Sequence, residues 1–285
     1  MATGSTRGAV LVTGASTGIG RACVEHLDGL GFAVFAGVRT QSDADSLREG
    51  GSARTRPLLL DVTDAESIHV AADTIEEAFP AGLSGLVNNA GIAVGGPVEF
   101  VALEEWRRVL EVNFVGQIAV TQATLPALRR ARGRIVNVSS IGGRLATPFF
   151  GPYNASKFAL EAVTEALRLE LRRFGVQVSA VEPGAVATPI WDKGRAASEQ
   201  LLGSIGADGL ELYGAGIEAL RKGIASAASA GVPPLEVAKV VEHALTANRA
   251  KARYVVGRDA KIRLALSRVL PSRTMDGLIV RRMGL

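Results

Sequence analysis

The chain has 285 residues, of which 47% are hydrophobic and 21% are charged, and it carries a formal net charge of +4. This length predicts one large α/β domain with a full core and is short for two domains. We find no apolar run long enough to cross a bilayer and no signal peptide at residues 1–8, so we expect a cytoplasmic protein. The single cysteine, Cys23, excludes an internal disulfide and fits a core position.

The positive charge and the three histidines indicate no dedicated site. The arginines are scattered over predicted helices and form no patch interleaved with aromatic residues of the kind that binds nucleic acid. His26, His69 and His243 are far apart in the sequence and lack the spacing of metal ligands. We therefore expect a small-molecule ligand, with neither nucleic acid nor a metal ion as a partner.

The first motif is a glycine-rich turn between a predicted strand at residues 8–12 and a helical pattern at residues 22–30. The turn consists of Thr13-Gly14-Ala15-Ser16-Thr17-Gly18-Ile19-Gly20. Small residues let the backbone approach a phosphate, and the helix N-terminus supplies free N–H groups and positive potential. The spacing is G-x-x-x-G-x-G and predicts a phosphate site, although such a turn can also do no more than join a strand to a helix.

The second predicted strand covers residues 32–38 and ends in Val38, followed by Arg39. In a dinucleotide-binding fold the end of this strand meets the adenosine ribose, where an acid binds the 2′-hydroxyl and an arginine accepts a 2′-phosphate. Because the sequence has Val38 and Arg39 there instead of an acid, it favours NADP(H) over NAD(H). The alternative is that Arg39 is a solvated turn residue.

The next two predicted strands end in polar residues. The apolar run at residues 57–60 is closed by Asp61-Val62, and the run at residues 83–87 leads into Asn88-Asn89-Ala90-Gly91. Adjacent asparagines are costly to bury unless they are hydrogen-bonded. We therefore expect this asparagine pair to stabilise the centre of the sheet and to floor a cofactor site.

Two further polar positions follow in the chain. Asn113 lies between helical patterns at residues 103–112 and 114–131, where it is either a satisfied core amide or a residue that bends the helix and holds a water. The predicted strand at residues 134–138 delivers Ser139-Ser140 at its C-terminal end. Ligands of open α/β sheets gather at that edge, so the serines are candidate ligand-binding residues.

Tyr153 and Lys157 stand at the head of a long amphipathic helix predicted to end near Gly175. Residues four apart share one helix face, so the phenol and the ammonium are expected to project side by side. The positive charge favours the phenolate and predicts a Tyr153 pKa below its usual value near 10, which suits a residue that gives or takes a proton. The alternative is a solvated surface pair.

The remaining sequence predicts two more strands, a lid and a tail. The strands cover residues 176–181 and 253–256. The segment at about 189–232 is rich in Gly, Ala and Ser and predicts a mobile substrate lid, and the tail at about 258–285 has helical segments but no domain of its own. Strands that alternate with helices predict a single-domain Rossmann-type α/β fold, a doubly wound parallel sheet of about seven strands with helices on both faces.

These motifs together carry a resemblance that covers essentially the whole chain. They are the glycine turn at 13–20, Asp61, Asn88 to Gly91, Asn113, Ser140, Tyr153-x-x-x-Lys157 and Pro183-Gly184 through Thr188. In their order and spacing the chain resembles the short-chain dehydrogenases/reductases. The resemblance implies an NADP(H)-dependent oxidoreductase that interconverts a carbonyl and an alcohol.

The resemblance also implies a set of cofactor-binding residues. They are Gly14, Ser16, Thr17, Gly18, Ile19, Gly20, Arg39, Asp61, Val62, Asn89, Ala90, Gly91, Tyr153, Lys157, Pro183, Gly184, Val186 and Thr188. The glycine turn is implied to bind the pyrophosphate, Asp61-Val62 to touch the adenine, and Ile19 with Val186 and Thr188 to hold the nicotinamide.

The implied catalytic residues are Asn113, Ser140, Tyr153 and Lys157. In the family's reaction, hydride passes between the nicotinamide and a carbonyl carbon while the residue matching Tyr153 gives a proton to the developing alkoxide. Ser140 is implied to orient the carbonyl oxygen, Lys157 to lower the Tyr153 pKa and bind the nicotinamide ribose, and Asn113 to hold a water that links Lys157 to solvent. Ser140 is chosen over Ser139 because its separation from Tyr153 fits the family.

The turn Val181-Glu182-Pro183-Gly184 and the run from Arg253 to Asp259 look like the 17β-hydroxysteroid and retinol dehydrogenase-like branch. That branch implies a bulky apolar substrate, such as a steroid-, retinoid- or lipid-like one, and homo-oligomers formed through the helices at 114–131 and 153–174. Apolar lid residues suit such a ligand, although they can equally be ordinary packing: Ile190, Trp191, Leu201, Leu202, Leu210 and Tyr213. The alternatives are a 3-oxoacyl or small-ketone reductase and a non-catalytic NADP(H) redox sensor.

Overall fold

The computed structural model describes residues 6–190, 199, 203 and 205–283. Its strands are β1 (Ala9–Val12), β2 (Ala33–Val38), β3 (Thr55–Leu59), β4 (Gly85–Asn88), β5 (Arg134–Val138), β6 (Gln177–Pro183) and β7 (Arg253–Val256). They form one parallel sheet in the order β3-β2-β1-β4-β5-β6-β7. The predicted Rossmann-type sheet is confirmed.

The α-helices are α1 (Gly18–Gly29), α2 (Gln41–Gly50), α3 (Ala65–Ala78), α4 (Leu103–Leu110), α5 (Gly116–Ala131), α6 (Gly151–Glu170), α7 (Gly206–Ala230), α8 (Pro234–Thr246), α9 (Arg258–Val269) and α10 (Ser272–Met283). A π-helical turn, Glu111–Val115, joins α4 to α5. Short 3₁₀ turns cover Ile141–Gly143 and Arg172–Phe174. Among the described helices, we find none that combines the length and apolar character needed to span a bilayer.

The core lies on both faces of the sheet, because successive residues of a strand point to opposite faces. On one face, Val10 of β1 belongs to a buried cluster with Val24 of α1 and Val241 of α8. On the other face, Leu11 belongs to a cluster with Leu128 of α5. The sheet is therefore covered by helices on both sides, as the alternating pattern predicted.

Helix α2 is an element that the sequence analysis did not predict. Only Ala44 and Leu47 of this helix are buried, so its apolar periodicity is weak. A start signal is nevertheless present, since the Thr40 hydroxyl accepts a hydrogen bond from the Asp43 backbone N–H at 3.2 Å. This Thr-x-x-Asp pattern is an N-capping motif, and it was the available clue to the helix.

The segment predicted to be a lid contains α7, a helix of 25 residues. Leu210 and Tyr213 lie on this helix, whereas Trp191, Leu201 and Leu202 lie outside the described residues. Helix α10 packs against α7, so the tail and the lid segment are in contact. The mobility of the lid and the division of the chain into domain, lid and tail stay predictions.

The strand order positions the site. Because β2 lies on one side of β1 and β4 on the other, the order reverses at β1, and ligands of open α/β sheets bind at such a switch point. Four strands, β1, β4, β5 and β6, are followed directly by Thr13, Asn89, Ser139 and Gly184. Four of the predicted motifs therefore converge on one edge of the sheet.

Candidate active site

The glycine turn after β1 is a cradle that side chains would fill. Gly14 and Gly18 have φ angles of +63° and +59°, in the left-handed region that favours glycine. A Cβ added at Gly14 would lie 2.7 Å from the Ala90 Cα, and one added at Gly20 would lie 2.2 Å from the Gly14 carbonyl oxygen. Both positions thus need glycine for reasons of space.

The N-terminus of α1 is open to an anion. Thr17 is the N-cap residue but its side chain makes no capping hydrogen bond, and the first turn of α1 carries no acidic residue. The first N–H groups of a helix have no intrahelical partner and carry positive potential. The turn and the helix end therefore fit the pyrophosphate of a dinucleotide, with Ser16 partly exposed and Thr17 exposed beside it.

Asn89 ties the end of β4 to the glycine turn. Its amide nitrogen donates hydrogen bonds to the carbonyl oxygens of Thr13 (2.9 Å) and Gly14 (3.1 Å). The Thr13 hydroxyl accepts hydrogen bonds from the backbone N–H groups of Asn89 and Ala90, both at 3.0 Å. These bonds fix the spacing between β1 and β4 where the cleft opens.

Asn88 ties β4 to β5 in the same way. Its side-chain nitrogen donates to the Thr121 hydroxyl and to the Asn137 side-chain oxygen, both at 2.9 Å, and Asn137 donates to Thr164 at 2.7 Å. All four side chains are buried. Through its side-chain nitrogen, Asn88 stabilises the centre of the sheet as expected, whereas the role of the asparagine pair in flooring a cofactor site stays a prediction.

Asn113 lies in the π-helical turn behind the site and is fully buried. Its side-chain oxygen accepts from the Ile92 backbone N–H at 2.8 Å, and its nitrogen donates to the Ile92 carbonyl (2.9 Å) and to the Ser156 hydroxyl (3.0 Å). The amide is therefore satisfied within the core and also stands where the helix is distorted. The water-holding role of Asn113 stays a prediction.

Ser140, Tyr153 and Lys157 meet in one cleft. Ser140 follows β5 and caps the 3₁₀ turn, where its hydroxyl accepts a hydrogen bond from the Gly142 N–H at 3.0 Å. Tyr153 and Lys157 project from the first turns of α6, and the Lys157 ammonium lies 5.8 Å from the Tyr153 ring centroid. Tyr153 is also hydrogen-bonded to Ser140. The serine and tyrosine hydroxyls can thus bind the same substrate oxygen.

The electrostatics of this group differ from the expectation. Burial raises the pKa of Tyr153, and the hydrogen bond with Ser140 lowers it. Burial lowers the pKa of Lys157 to about 8, while the charge of Glu161 raises it. Lys157 donates its hydrogen bond to the Val138 carbonyl at 2.9 Å. The prediction that Lys157 brings the Tyr153 pKa below its usual value is therefore wrong for this geometry, because desolvation of the phenol dominates.

The cleft at the C-terminal edge of the sheet encloses about 520 Å³ of space, part of it open to solvent. Ten predicted site residues line it: Ile19, Asn89, Gly91, Ser140, Tyr153, Lys157, Pro183, Gly184, Val186 and Thr188. Val138, Ser139 and Ile190 also line it. Of these, Val138 was not predicted, Ser139 was a candidate ligand-binding residue over which Ser140 was chosen, and Ile190 was named as an apolar lid residue. The signal for Val138 and Ser139 was their place at the end of β5.

The other predicted site residues lie around this cleft rather than in its lining. The glycine turn, the start of α1 and the residue after Asn89 contribute Gly14, Ser16, Thr17, Gly18, Gly20 and Ala90, and Asn113 lies behind the wall of the cleft. Arg39, Asp61 and Val62 follow β2 and β3. Val62 is buried, and the Asp61 carboxylate accepts hydrogen bonds from the Thr63 N–H and hydroxyl at 2.9 and 2.8 Å.

Arg39 stands exposed at the end of β2, directly after the buried Val38. Its guanidinium makes no hydrogen bond and no ion pair with the part of the chain that the structure describes. The next residue, Thr40, is engaged in capping α2. Arg39 is therefore an available cation where the ribose of a dinucleotide would reach.

The chain matches known proteins along most of its length. A family model described as short chain dehydrogenase matches residues 8–199. Mouse retinol dehydrogenase 5 is 38% identical over 95% of this chain and 87% of its own length. Bovine 17-beta-hydroxysteroid dehydrogenase type 6 is 39% identical over the same shares of the two chains.

The chain is also similar to solved structures. A short chain dehydrogenase from Burkholderia cenocepacia in complex with NADP is 26% identical, with a TM-score of 0.72 and 98% of each chain covered. A short chain dehydrogenase/reductase from Burkholderia phymatum in complex with NAD is also 26% identical, with a TM-score of 0.77 over 93% of this chain and 95% of that one. The chain belongs to the short-chain dehydrogenase family of oxidoreductases, with relatives among the retinol and 17β-hydroxysteroid dehydrogenases.

Proposed function

We propose that the protein is an NADP(H)-dependent oxidoreductase that interconverts a carbonyl and an alcohol on a bulky apolar substrate. The observation that carries the proposal is the convergence of Ser140, Tyr153 and Lys157 with the open N-terminus of α1 at one sheet edge. A cradle for a dinucleotide phosphate and a proton donor in the adjoining cleft are the two parts that hydride transfer to a carbonyl requires.

When bound, the nicotinamide cofactor supplies or accepts the hydride. Ser140 orients the carbonyl oxygen with its hydroxyl and stabilises the charge that develops there. Tyr153 gives its proton to that oxygen in reduction and takes it back in oxidation. The resulting phenolate is stabilised by the Ser140 hydrogen bond and by the Lys157 ammonium, which lies one helical turn away.

Arg39 supports the preference for NADP(H). Its guanidinium is exposed and free at the end of β2, and Val38 leaves no carboxylate at that position to bind a 2′-hydroxyl or to repel a 2′-phosphate. A guanidinium binds phosphate through several donors in a fixed geometry. One related structure holds NADP and another holds NAD, so Arg39 itself is the argument for the choice.

The apolar walls support a bulky substrate. The cleft around Ser140, Tyr153 and Lys157 is also lined by four apolar residues, Ile19, Val138, Val186 and Ile190. Outside the lining of the cleft, Tyr213 of α7 packs edge-to-face on Phe100 and Phe149, with ring centroids 5.9 and 6.4 Å apart. Relatives named for retinol and for a 17β-hydroxysteroid are consistent with such surroundings.

We also propose that the protein forms homo-oligomers through α5 and α6 and resides in the cytoplasm. Val115, Phe158 and Leu169 lie on or beside these helices and are 43%, 45% and 64% exposed. Phe158 and Leu169 are eleven residues apart, so they share one face of α6. Exposed apolar side chains on one helix face are typical of a surface that is covered by a partner.

The experiment is the loss of NADPH absorbance with a panel of carbonyls that runs from small β-ketoesters to steroids and retinal. We expect turnover of a bulky apolar carbonyl with NADPH, less with NADH, and a loss of about 10²–10⁴-fold in the Tyr153→Phe variant. Binding of NADPH by that variant, followed by fluorescence, is the control for folding. Tight NADPH binding with equal, negligible turnover by both proteins would favour the redox sensor, and turnover restricted to small β-ketoesters would favour the small-ketone reductase.

A further inference from the structure

One face of α6 continues beyond the two residues that line the cleft. Tyr153, Lys157, Glu161 and Glu165 are spaced by four residues, so they lie one above the other along the helix. Glu161 is only 5% exposed, whereas the Glu165 side chain is 54% exposed. The face therefore leads from the cleft, through a buried carboxylate, to the protein surface.

Arg253 of β7 fixes the Glu161 carboxylate. Its Nε lies 3.2 Å from Glu161 Oε2 and 3.0 Å from Oε1 of Glu182, the fully buried residue before Pro183. Its Nη2 lies 2.5 Å from Glu165 Oε1. Arg144, just after the 3₁₀ turn, lies 3.2 Å from Glu182 Oε1. This cluster joins α6, β6, β7 and the loop that carries Ser140.

The cluster leaves carboxylate oxygens unused. Glu161 Oε1 and Glu182 Oε2 are buried and make no hydrogen bond to any residue that the structure describes. Burying a carboxylate costs several kcal/mol unless nearby charges compensate. Burial and the negative charge of the neighbouring Glu161 raise the pKa of Glu182, which means that the two carboxylates repel each other. The two guanidiniums reach Glu161 Oε2 and Glu182 Oε1, so each acid keeps one buried oxygen without a partner.

Lys157 is a buried cation on the same face of α6, one helical turn from Glu161. It is 4% exposed, and its ammonium has the Val138 carbonyl as its hydrogen-bond partner but no carboxylate within ion-pair distance among the described residues. Without a compensating charge, a buried ammonium tends to lose its proton. We propose that Glu161 is a positioning residue that stabilises the charged form of Lys157, with Arg253 holding its carboxylate in place.

The charged and titratable groups of this cluster come from α6, from the loop after the 3₁₀ turn and from two strands. They are Tyr153 and Glu161 on α6, Arg144 after the 3₁₀ turn, Glu182 on β6 and Arg253 on β7. On α4, which also packs on α6, the pairs Arg107–Glu104 and Arg108–Glu105 face solvent and neutralise each other. Of these groups, Glu161 is the acid on the same helix face one turn away, and its charge supports the ammonium against burial.

The first test reads Lys157 directly and needs no substrate. The chain has six lysines, so ¹³C-labelled lysine gives few NMR signals, and Lys157→Arg assigns the one of interest. We expect a titration midpoint for Lys157 near its pKa of about 8 in the wild type and a lower one in Glu161→Gln. Glu165→Gln is the matched control, because it removes an exposed acid from the same helix face and the same arginine. Glu161→Asp keeps the negative charge, and we expect its Lys157 titration midpoint to lie close to that of the wild type. This variant also keeps the test decisive if Glu161→Gln does not fold.

The second test is the pH profile of kcat/KM, and it rests on the proposed function. If Lys157 must be charged, kcat/KM falls as the pH rises through the Lys157 midpoint, and in Glu161→Gln this fall begins at lower pH. We expect about tenfold lower kcat/KM than wild type at pH 8, less than the loss on removing the proton donor itself. An unchanged Lys157 midpoint in Glu161→Gln, or an equal shift in Glu165→Gln, overturns the inference. A shifted midpoint in an enzyme that turns over no carbonyl supports the inference and overturns the proposed function instead.

Discussion

The proposed cofactor side and the proposed substrate side of the site are built in different ways. On the proposed cofactor side, the turn at 13–20 is held by hydrogen bonds from Asn89 and Ala90 to the hydroxyl and carbonyl groups of Thr13 and by close backbone contacts. On the proposed substrate side, side chains join α7 to the rest of the protein, among them Tyr213, which packs on Phe100 and Phe149. Backbone recognition tolerates few residue types at each position, whereas side-chain packing tolerates many. The first side is therefore suited to a constant ligand and the second to a variable one.

Variants of Ser139 and Ser140 test which of the two serines between the two sides contributes to activity. Both line the cleft, but Ser140 is bonded to Tyr153 whereas the buried Ser139 hydroxyl has no hydrogen-bond partner in the described chain. We expect Ser140→Ala to lower kcat by about 10²–10³-fold, as for removal of one oxyanion donor. Ser139→Ala is expected to stay within a few-fold of wild type, and steady-state kinetics with the best panel substrate measures both. Equal losses in the two variants would mean that the serines act together.

Gly20 and Gly29 test whether the cofactor side depends on close backbone approach. A Cβ at Gly20 would lie 2.2 Å from the Gly14 oxygen, whereas at Gly29, on the same helix, nothing lies within 4 Å. Gly20→Ala is expected to destabilise the fold by about 1–3 kcal/mol through overpacking and to weaken NADPH binding. Gly29→Ala is expected to be neutral or stabilising by up to about 1 kcal/mol. Chemical denaturation and NADPH titration measure the two effects, and intact binding in Gly20→Ala would show that the turn can shift.

Arg39 tests whether one exposed side chain can decide the cofactor on a side otherwise built from backbone. Hydrogen bonds to charged groups contribute about 1.5–3 kcal/mol. We therefore expect Arg39→Ala to raise the KM for NADPH by roughly 10–100-fold and to leave the KM for NADH nearly unchanged. Arg48→Ala, which removes an exposed arginine paired with Asp45 on α2, is the charge-matched control. Equal changes for both cofactors would remove Arg39 as the basis of the preference.

Variants of Tyr213 test whether the aromatic packing of α7 affects the binding of a bulky substrate. Edge-to-face aromatic pairs contribute about 0.5–1.5 kcal/mol each, so Tyr213→Ala is expected to raise the KM for a bulky apolar carbonyl by about ten-fold. The KM for a small β-ketoester is expected to change by less than a factor of two or so, because a small substrate does not reach α7. Tyr213→Phe keeps the ring, loses only the exposed hydrogen bond to Glu99 (2.8 Å), and should resemble wild type. An effect of Tyr213→Ala that is the same for both substrates would indicate a general loss of packing.

The parts of the fold and site that could be predicted are those with local signals. The strands β5 and β7 begin and end where the apolar runs predicted, and the Tyr153-Lys157 pair lies on one face because helical spacing requires it. Helix α2 was missed because it buries only two residues, and its capping pattern was the weaker signal. The Tyr153 pKa was predicted in the wrong direction, since burial depends on residues from other elements and cannot be counted along one helix.

By itself, the sequence determined the sheet of alternating strands and helices, the positions of the glycines in the turn at 13–20 and the placement of Tyr153 and Lys157 on one helix face. Each of these follows from the residue itself or from neighbours a few positions away, where steric and helical rules are strict. Only the tertiary structure decided that Arg253 pairs with both Glu161 and Glu182, because these residues come from β7, α6 and β6 and are brought together by strand order. Charge interactions in a buried site depend on distance and desolvation, and both are properties of the packed protein.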